Sequence, residues 1–371
     1  MKIQPATGSF ARNLIYSTKP SVSYVGSRTT ALRNARGKGL SVWSIDDDTG
    51  NWTKIQTLKE QENPSYLTFD NTKNFLYSVH GDYTEVTSYA INPEDGKLTY
   101  INKITLDDGK NPVFITADKT NRYLLVATLQ GGAVYVVRRE ENGALGEVVS
   151  VWRFPGKTNE SISHAHQCIW DQEKNYLFVP QQGRVIGYAG VSVLKFNPED
   201  GSLIETDYFR AREYSEPRHM AIHPNNQYCY LVNEKDNTVT WFFFDQNSGK
   251  IEPQQIIPVL PETYTGEGQS SAVLVDKSGK WVIESTRIHE SLSIFRINPL
   301  TGYLTRVETM KVPGLTPRFI TFNDAGDRLF VANEDSDTII QYAFDKITGS
   351  LTQLQPVVAT ESPVCILFKS L

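Results

Sequence analysis

Two histidines two residues apart, His164 and His166, stand in the segment SHAHQ (163–167), and Arg218, Glu234 and Arg287 follow at longer separations. In an extended strand residues i and i+2 point the same way, so both imidazoles are expected on one face. An imidazole moves protons near neutral pH, while a guanidinium grips a carboxylate, a phosphate or a developing oxyanion. Glu234, or either histidine, could activate water as a general base. The combination suits acid–base chemistry on a small anion. Zinc would need a third protein ligand, and the sequence offers no His/Asp/Glu triplet at metal spacing. GxSxG, Walker, Rossmann and CxxC patterns are absent too. The expectation is therefore no cofactor and no metal.

What positions these residues is a repeat. A glycine turn recurs seven times, at Gly50, Gly96, Gly143, Gly201, Gly249, Gly302 and Gly349, at intervals of 46, 47, 58, 48, 53 and 47 residues. Each turn follows a short apolar or aromatic run such as VTSYAIN or VTWFFFD. Short strands at that period predict an all-β fold, a seven-bladed β-propeller. Six first strands begin at PSYLTFD (64–70), PVFITAD (112–118), AHQCIWD (165–171), PRHMAIH (217–223), SSAVLVD (270–276) and PRFITFN (317–323). The seventh, PVCILF (363–368), lacks following partners, which SYVGS (23–27), GLSVWSI (39–45) and WTKIQTL (52–58) supply from the other end. The C-terminal strand should therefore close the ring and remove its open edges. Residues 1–371 are read as one domain, with 1–20 unassigned.

If strands A to D run from the axis outward, the D→A and B→C loops share one rim. The turns of the other rim are short and alike, so function is expected on the irregular rim. The second position of strand A lines the channel: Ser65, Val113, His166, Arg218, Ser271, Arg318 and Val364. The end of strand B contributes His80, Thr128, Gln181, Asn233, Thr286 and Asn333. The position after it contributes Gly81, Leu129, Gln182, Glu234, Arg287 and Glu334, with Arg28 from the split blade. His166, His164, Glu234, Arg218 and Arg287 are the expected catalytic set. Arg28, His80, Gln181, Asn233, Arg318 and Asn333 are expected to bind substrate. Arg318 and Glu334 share a hairpin and are read as a structural pair. His219 should point away from Arg218, into packing.

The chain carries 37 basic and 42 acidic residues, a net charge of −5, with no long run of one sign. That excludes the basic patch of a nucleic-acid binder, and no apolar run is long enough to span a membrane. Three cysteines in apolar runs, and a start without an apolar leader, predict buried thiols in the cytoplasm. Several arginines on one rim predict a small anionic partner. The sequence does not fix the oligomeric state.

The repeats also resemble the lactonase-type seven-bladed propeller family, which includes 6-phosphogluconolactonases and carboxy-cis,cis-muconate cyclases. The likeness covers residues 21–371. It rests on NPSYLTFD with FLYSVH, on SHAHQ, on EPRHMAIHPNNQYCYLVNE (216–234) and on TPRFITFNDAGDRLFVANEDSDTI (316–339). It implies a site formed by the His-x-His segment, Arg218, Glu234 and Arg287. It implies hydrolysis of a sugar-acid lactone, such as the 6-phosphogluconolactonase reaction, or the reverse-type closure of an unsaturated acid by a cycloisomerase. A non-catalytic binding module on the same rim is the other expectation, since fold alone fixes no function. The chain departs from the family at Thr128-Leu129, Gln181-Gln182-Gly183, Thr286 and Ile288 around Arg287, and Arg28, all on the pocket wall.

Overall fold

The computed structural model describes residues 21–46 and 49–371. The unassigned segment 1–20 and residues 47 and 48 of the first glycine turn lie outside the described residues. Seven antiparallel sheets follow one another around an axis. Blade 1 is split: Pro363–Ser370 pairs with Ser21–Ser27, followed outward by Leu40–Ile45 and Trp52–Leu58. Blades 2 and 3 begin at Pro64–Phe69 and Pro112–Ala117, blades 5, 6 and 7 at Pro217–Ile222, Gln269–Val275 and Pro317–Phe322. Blade 4 differs from expectation. Its inner strand is broken into His164–Ala165 and Ile169–Trp170, both paired to Tyr176–Gln182.

Burial explains why the strands read as apolar runs rather than alternating ones. A middle strand such as Tyr123–Thr128 is buried at every position, because both sheet faces meet neighbouring blades. The outermost strand, such as Leu203–Arg210, alternates toward solvent. The apolar side chains gather into seven clusters among the described residues, each joining two adjacent blades. Val25, Trp43 and Ile366 of blade 1 pack with Phe330 and Ile339 of blade 7, sealing the ring.

The seven repeated glycines have φ between +71° and +84°, a region costly for a side chain bearing Cβ. The turns also lock neighbouring blades, since the Tyr24, Tyr77 and Tyr230 hydroxyls donate to the carbonyls of Gly96, Gly143 and Gly302 at 2.8, 3.1 and 2.9 Å. Cys168, Cys229 and Cys365 are buried and free.

One buried acid makes stability depend on pH. Glu284, in Trp281–Arg287 of blade 6, is fully buried and accepts 3.0 Å bonds from the Thr286 hydroxyl at both oxygens. Burial pushes its carboxyl up to about 8, against those hydrogen bonds. Its contribution is intact below the ordinary glutamate range. It is lost as pH rises through the folded value, because only the unfolded chain releases the proton early. Glu284→Gln cannot ionise, so its melting temperature should gain on that of the wild type between about pH 5 and pH 9. Parallel melting curves across that range would contradict this.

Candidate active site

The irregular rim is assembled by two recurrent backbone devices. The first is a register shift at the second position of the inner strand, between Pro64 and Tyr66, Pro112 and Phe114, Pro217 and His219, and Pro317 and Phe319. Such a bulge breaks strict alternation. The second is a residue held at positive φ immediately before each of five inner-strand prolines: Asn63, Asn111, Glu216, Thr316 and Ser362. That conformation is unfavourable before proline, and each carbonyl compensates by anchoring the rim. These carbonyls accept the backbone N–H of Gly81, Leu129, Glu234, Glu334 and Arg28, at 2.9 to 3.0 Å. The side chains that face the mouth are thus fixed through their own backbone.

At the centre, Glu234 lies between two arginines. Its Oε2 is 3.3 Å from Arg218 Nε, and its Oε1 is 3.0 Å from Arg287 Nη2. Gln182 Nε2 donates to Oε2 at 2.8 Å. Burial alone would raise this carboxyl, but Arg287, Arg218 and the Gln182 bond together hold it down to about 2. Glu234 is therefore a fixed anion and a poor base near neutral pH. His166 has the opposite character. Burial, with Arg218 and Arg318 nearby, holds its pKa well below the ordinary histidine value, and its Nδ1 has no hydrogen-bond partner. It is a neutral imidazole, able to accept a proton at one of its ring nitrogens.

A cavity of about 270 Å³ opens at the mouth. Arg28, Arg33, Arg184, Arg287 and Arg318 line it together with His166 and Glu234. Arg28 and Arg33 share Asp82, and Arg318 stands 3.4 Å from Glu334, so the pairing read from the hairpin is present. Arg218 sits one layer deeper. It is 3% exposed, and one guanidinium nitrogen donates to the Ser271 carbonyl.

Several expected site residues are elsewhere. His80 Nδ1 donates to the Glu62 carbonyl and Nε2 accepts from Thr87, both at 2.7 Å. Gln181 Nε2 donates to Ser192 at 2.6 Å, in the cleft between blades 3 and 4. Asn233 donates to Thr238 and Thr240 at 3.0 Å, and Asn333 to Thr338 at 3.3 Å. These four side chains brace their own B–C hairpins, because strand alternation gives the mouth to the next residue. His164 lines neither the mouth nor the channel beneath it. Its Nδ1 faces the Gln182 carbonyl at 3.3 Å, since the inner strand of blade 4 stops after Ala165. His219 is packed, as expected, against Phe114. The bulge nevertheless turns it toward the channel beside His166, with ring centres 5.2 Å apart.

Arg33, Asn111 and Arg184 are mouth residues that sequence reading did not single out. Arg184 comes from the loop after Gln182, at φ +45°, and its Nε and Nη2 both donate to Gln182 Oε1, at 3.0 and 2.8 Å. Its backbone N–H donates to Glu216 at 2.9 Å. Gln182 thus ties Arg184 to Glu234. In Gln182→Leu this tie is lost, so the Km for an anionic substrate should rise about tenfold, the effect of roughly one charge-assisted bond, with kcat changed much less. Steady-state kinetics would show it. An unchanged Km would remove Arg184 from the binding set.

A closed seven-bladed ring with a His/Arg/Glu mouth defines a recognisable class. The chain belongs to the lactonase family of seven-bladed β-propellers, whose model matches residues 22–368. It is 28% identical to a 6-phosphogluconolactonase of Bacillus subtilis over 352 residues, 94% of this chain and 98% of that protein. It also resembles the solved periplasmic gluconolactonase PpgL of Pseudomonas aeruginosa, with 26% identity, TM-score 0.83, and coverage of 94% and 99% of the two chains. A structure titled a putative 6-phosphogluconolactonase, from Bacteroides uniformis, shares the fold at TM-score 0.83 and 23% identity, covering 95% of this chain and 100% of that one. Among the described residues no helix is long and apolar enough to cross a membrane.

Proposed function

We propose that the mouth hydrolyses an anionic sugar-acid lactone of the 6-phosphogluconolactone type. One observation carries the reading: five guanidiniums face a single glutamate and a neutral histidine across a cavity of about 270 Å³. Such a wall favours an anion bearing more than one acceptor group. The names of the relatives point the same way. Arg28 and Arg33, held by Asp82, grip the distal phosphate, and Arg318 supports them. Arg287 donates to the lactone carbonyl as its oxygen becomes negative. His166 takes a proton from water while the oxygen of that water bonds to the carbonyl carbon. The tetrahedral oxyanion then collapses, the ring C–O bond breaks, and the leaving alkoxide recovers the proton from the imidazolium. Glu234 stays ionised throughout and holds Arg218 and Arg287 in place. The reading includes a reducing cytoplasm, which the three buried free thiols fit.

Calorimetric titration with the product-like anions tests it. 6-Phosphogluconate should bind saturably and more tightly than gluconate, because only the former engages the Arg28–Arg33 side. Absence of heat from these and from citrate would assign the rim to a protein-binding role instead.

A further inference from the structure

Below the mouth the channel narrows to a throat of about 30 Å³, lined in part by Arg28, Ser65, Tyr66, His166, Arg218 and Arg318. That is room for a single water-sized occupant. Ser65 Oγ, His166 Nδ1 and Arg218 Nε are buried and lack hydrogen-bond partners, although Arg218 Nε lies 3.3 Å from Glu234 without bonding alignment. Buried polar groups without hydrogen bonds are costly, and Ser65, His166 and Arg218 all line this one void, which favours an occupant that can accept from them.

The charge of the throat selects the occupant. Three guanidiniums line it. Burial and then Arg318 push Arg28 down to about 10, and burial, Arg287 and Arg318 push Arg218 down. Glu234 and Glu334 offset part of this from the mouth side. A water would fill the space but leave the repulsion intact, whereas a small anion accepts from the donors and screens the cations.

Gly81 supplies an independent sign. The equivalent mouth position carries Leu129, Gln182, Glu234, Arg287 or Glu334 in other blades. A Cβ built on Gly81 would stand 2.7 Å from both Arg28 Nη1 and Ser65 Oγ. Gly81 does not have positive φ, so its backbone does not demand glycine. The missing side chain lets the Arg28 guanidinium and the Ser65 hydroxyl approach each other over the throat.

We propose that the throat is a binding site for one monovalent halide, chloride in a physiological medium. The site lies beneath the substrate cavity and shares Arg28, His166 and Arg318 with it, but its occupancy does not depend on the hydrolytic reading. Crystals of the full chain soaked in bromide should show an anomalous peak in the throat, within hydrogen-bond reach of Ser65 Oγ and Arg218 Nε. In solution, chloride added to halide-free protein at constant ionic strength should raise the melting temperature saturably. Ser65→Val should abolish both responses, and the smaller change Ser65→Ala should weaken them if the valine variant does not fold. Bromide found only in the mouth or on surface arginines would overturn the proposal. So would throat density without anomalous signal, or a chloride response unchanged in both variants.

Discussion

His166→Asn is expected to lower kcat for the proposed lactone hydrolysis by about two to four orders of magnitude, the usual contribution of a positioned proton acceptor. The same change should remove the acid limb of the pH–rate profile. His166 must be neutral to accept a proton, and burial with Arg218, Arg318 and Arg184 keeps its pKa well below the ordinary value. Wild-type kcat/KM should therefore stay flat through neutral pH and fall only on acidification through that depressed value. His219 lies beside it and is held low by burial, Arg218 and His166. It is the necessary control. His219→Asn should keep the limb, because His219 lines the throat and packs on Phe114 rather than facing the mouth. An unchanged profile in His166→Asn would transfer the base to another group.

Arg287→Ala should lower kcat/KM about 10²- to 10³-fold, the range for removing one donor to a developing oxyanion. Arg287 is 8% exposed, and its Nη2 lies 3.0 Å from Glu234 and 3.4 Å from the Ser270 carbonyl. Removing it also strips Glu234 of its strongest neighbouring cation. Breaking a buried pair costs up to about 3–5 kcal/mol, but Arg218 and Gln182 remain on Glu234 and limit that loss. Arg287→Lys should recover stability more than activity, since an ammonium cannot reach the glutamate and the substrate with a planar fork. Equal recovery of both would make Arg287 a brace only.

The glycine spacing made the ring legible because each turn needs the same positive φ, and a conformational demand repeated seven times leaves a sequence trace. Closure was legible because PVCILF had no following strands. Four of the expected substrate-binding residues were read one position out of phase at the end of strand B. His80, Gln181, Asn233 and Asn333 are polar and near the rim, yet their hydroxyl-bearing partners are on the adjacent strand, a pairing that needs register. Glu234 and Arg287 were placed on the rim by their position after the end of strand B, and both line the mouth, but the 3.0 Å pair between them, across two blades, was not legible. The direction of His219 was missed because a bulge has no residue signature in PRHMAIH. Arg184 escaped because its place depends on a loop in which it and Val185 both take positive φ. Its only textual signal was an arginine in a loop longer than its counterparts.

The most direct test is the rate at which purified protein opens 6-phosphoglucono-δ-lactone, followed by acid release against the spontaneous reaction. The account predicts saturable acceleration by the wild type, weaker acceleration of the unphosphorylated lactone, and near-background rates in both His166→Asn and Arg287→Ala. A wild-type rate equal to spontaneous hydrolysis for both lactones, with folded protein in excess, would contradict it.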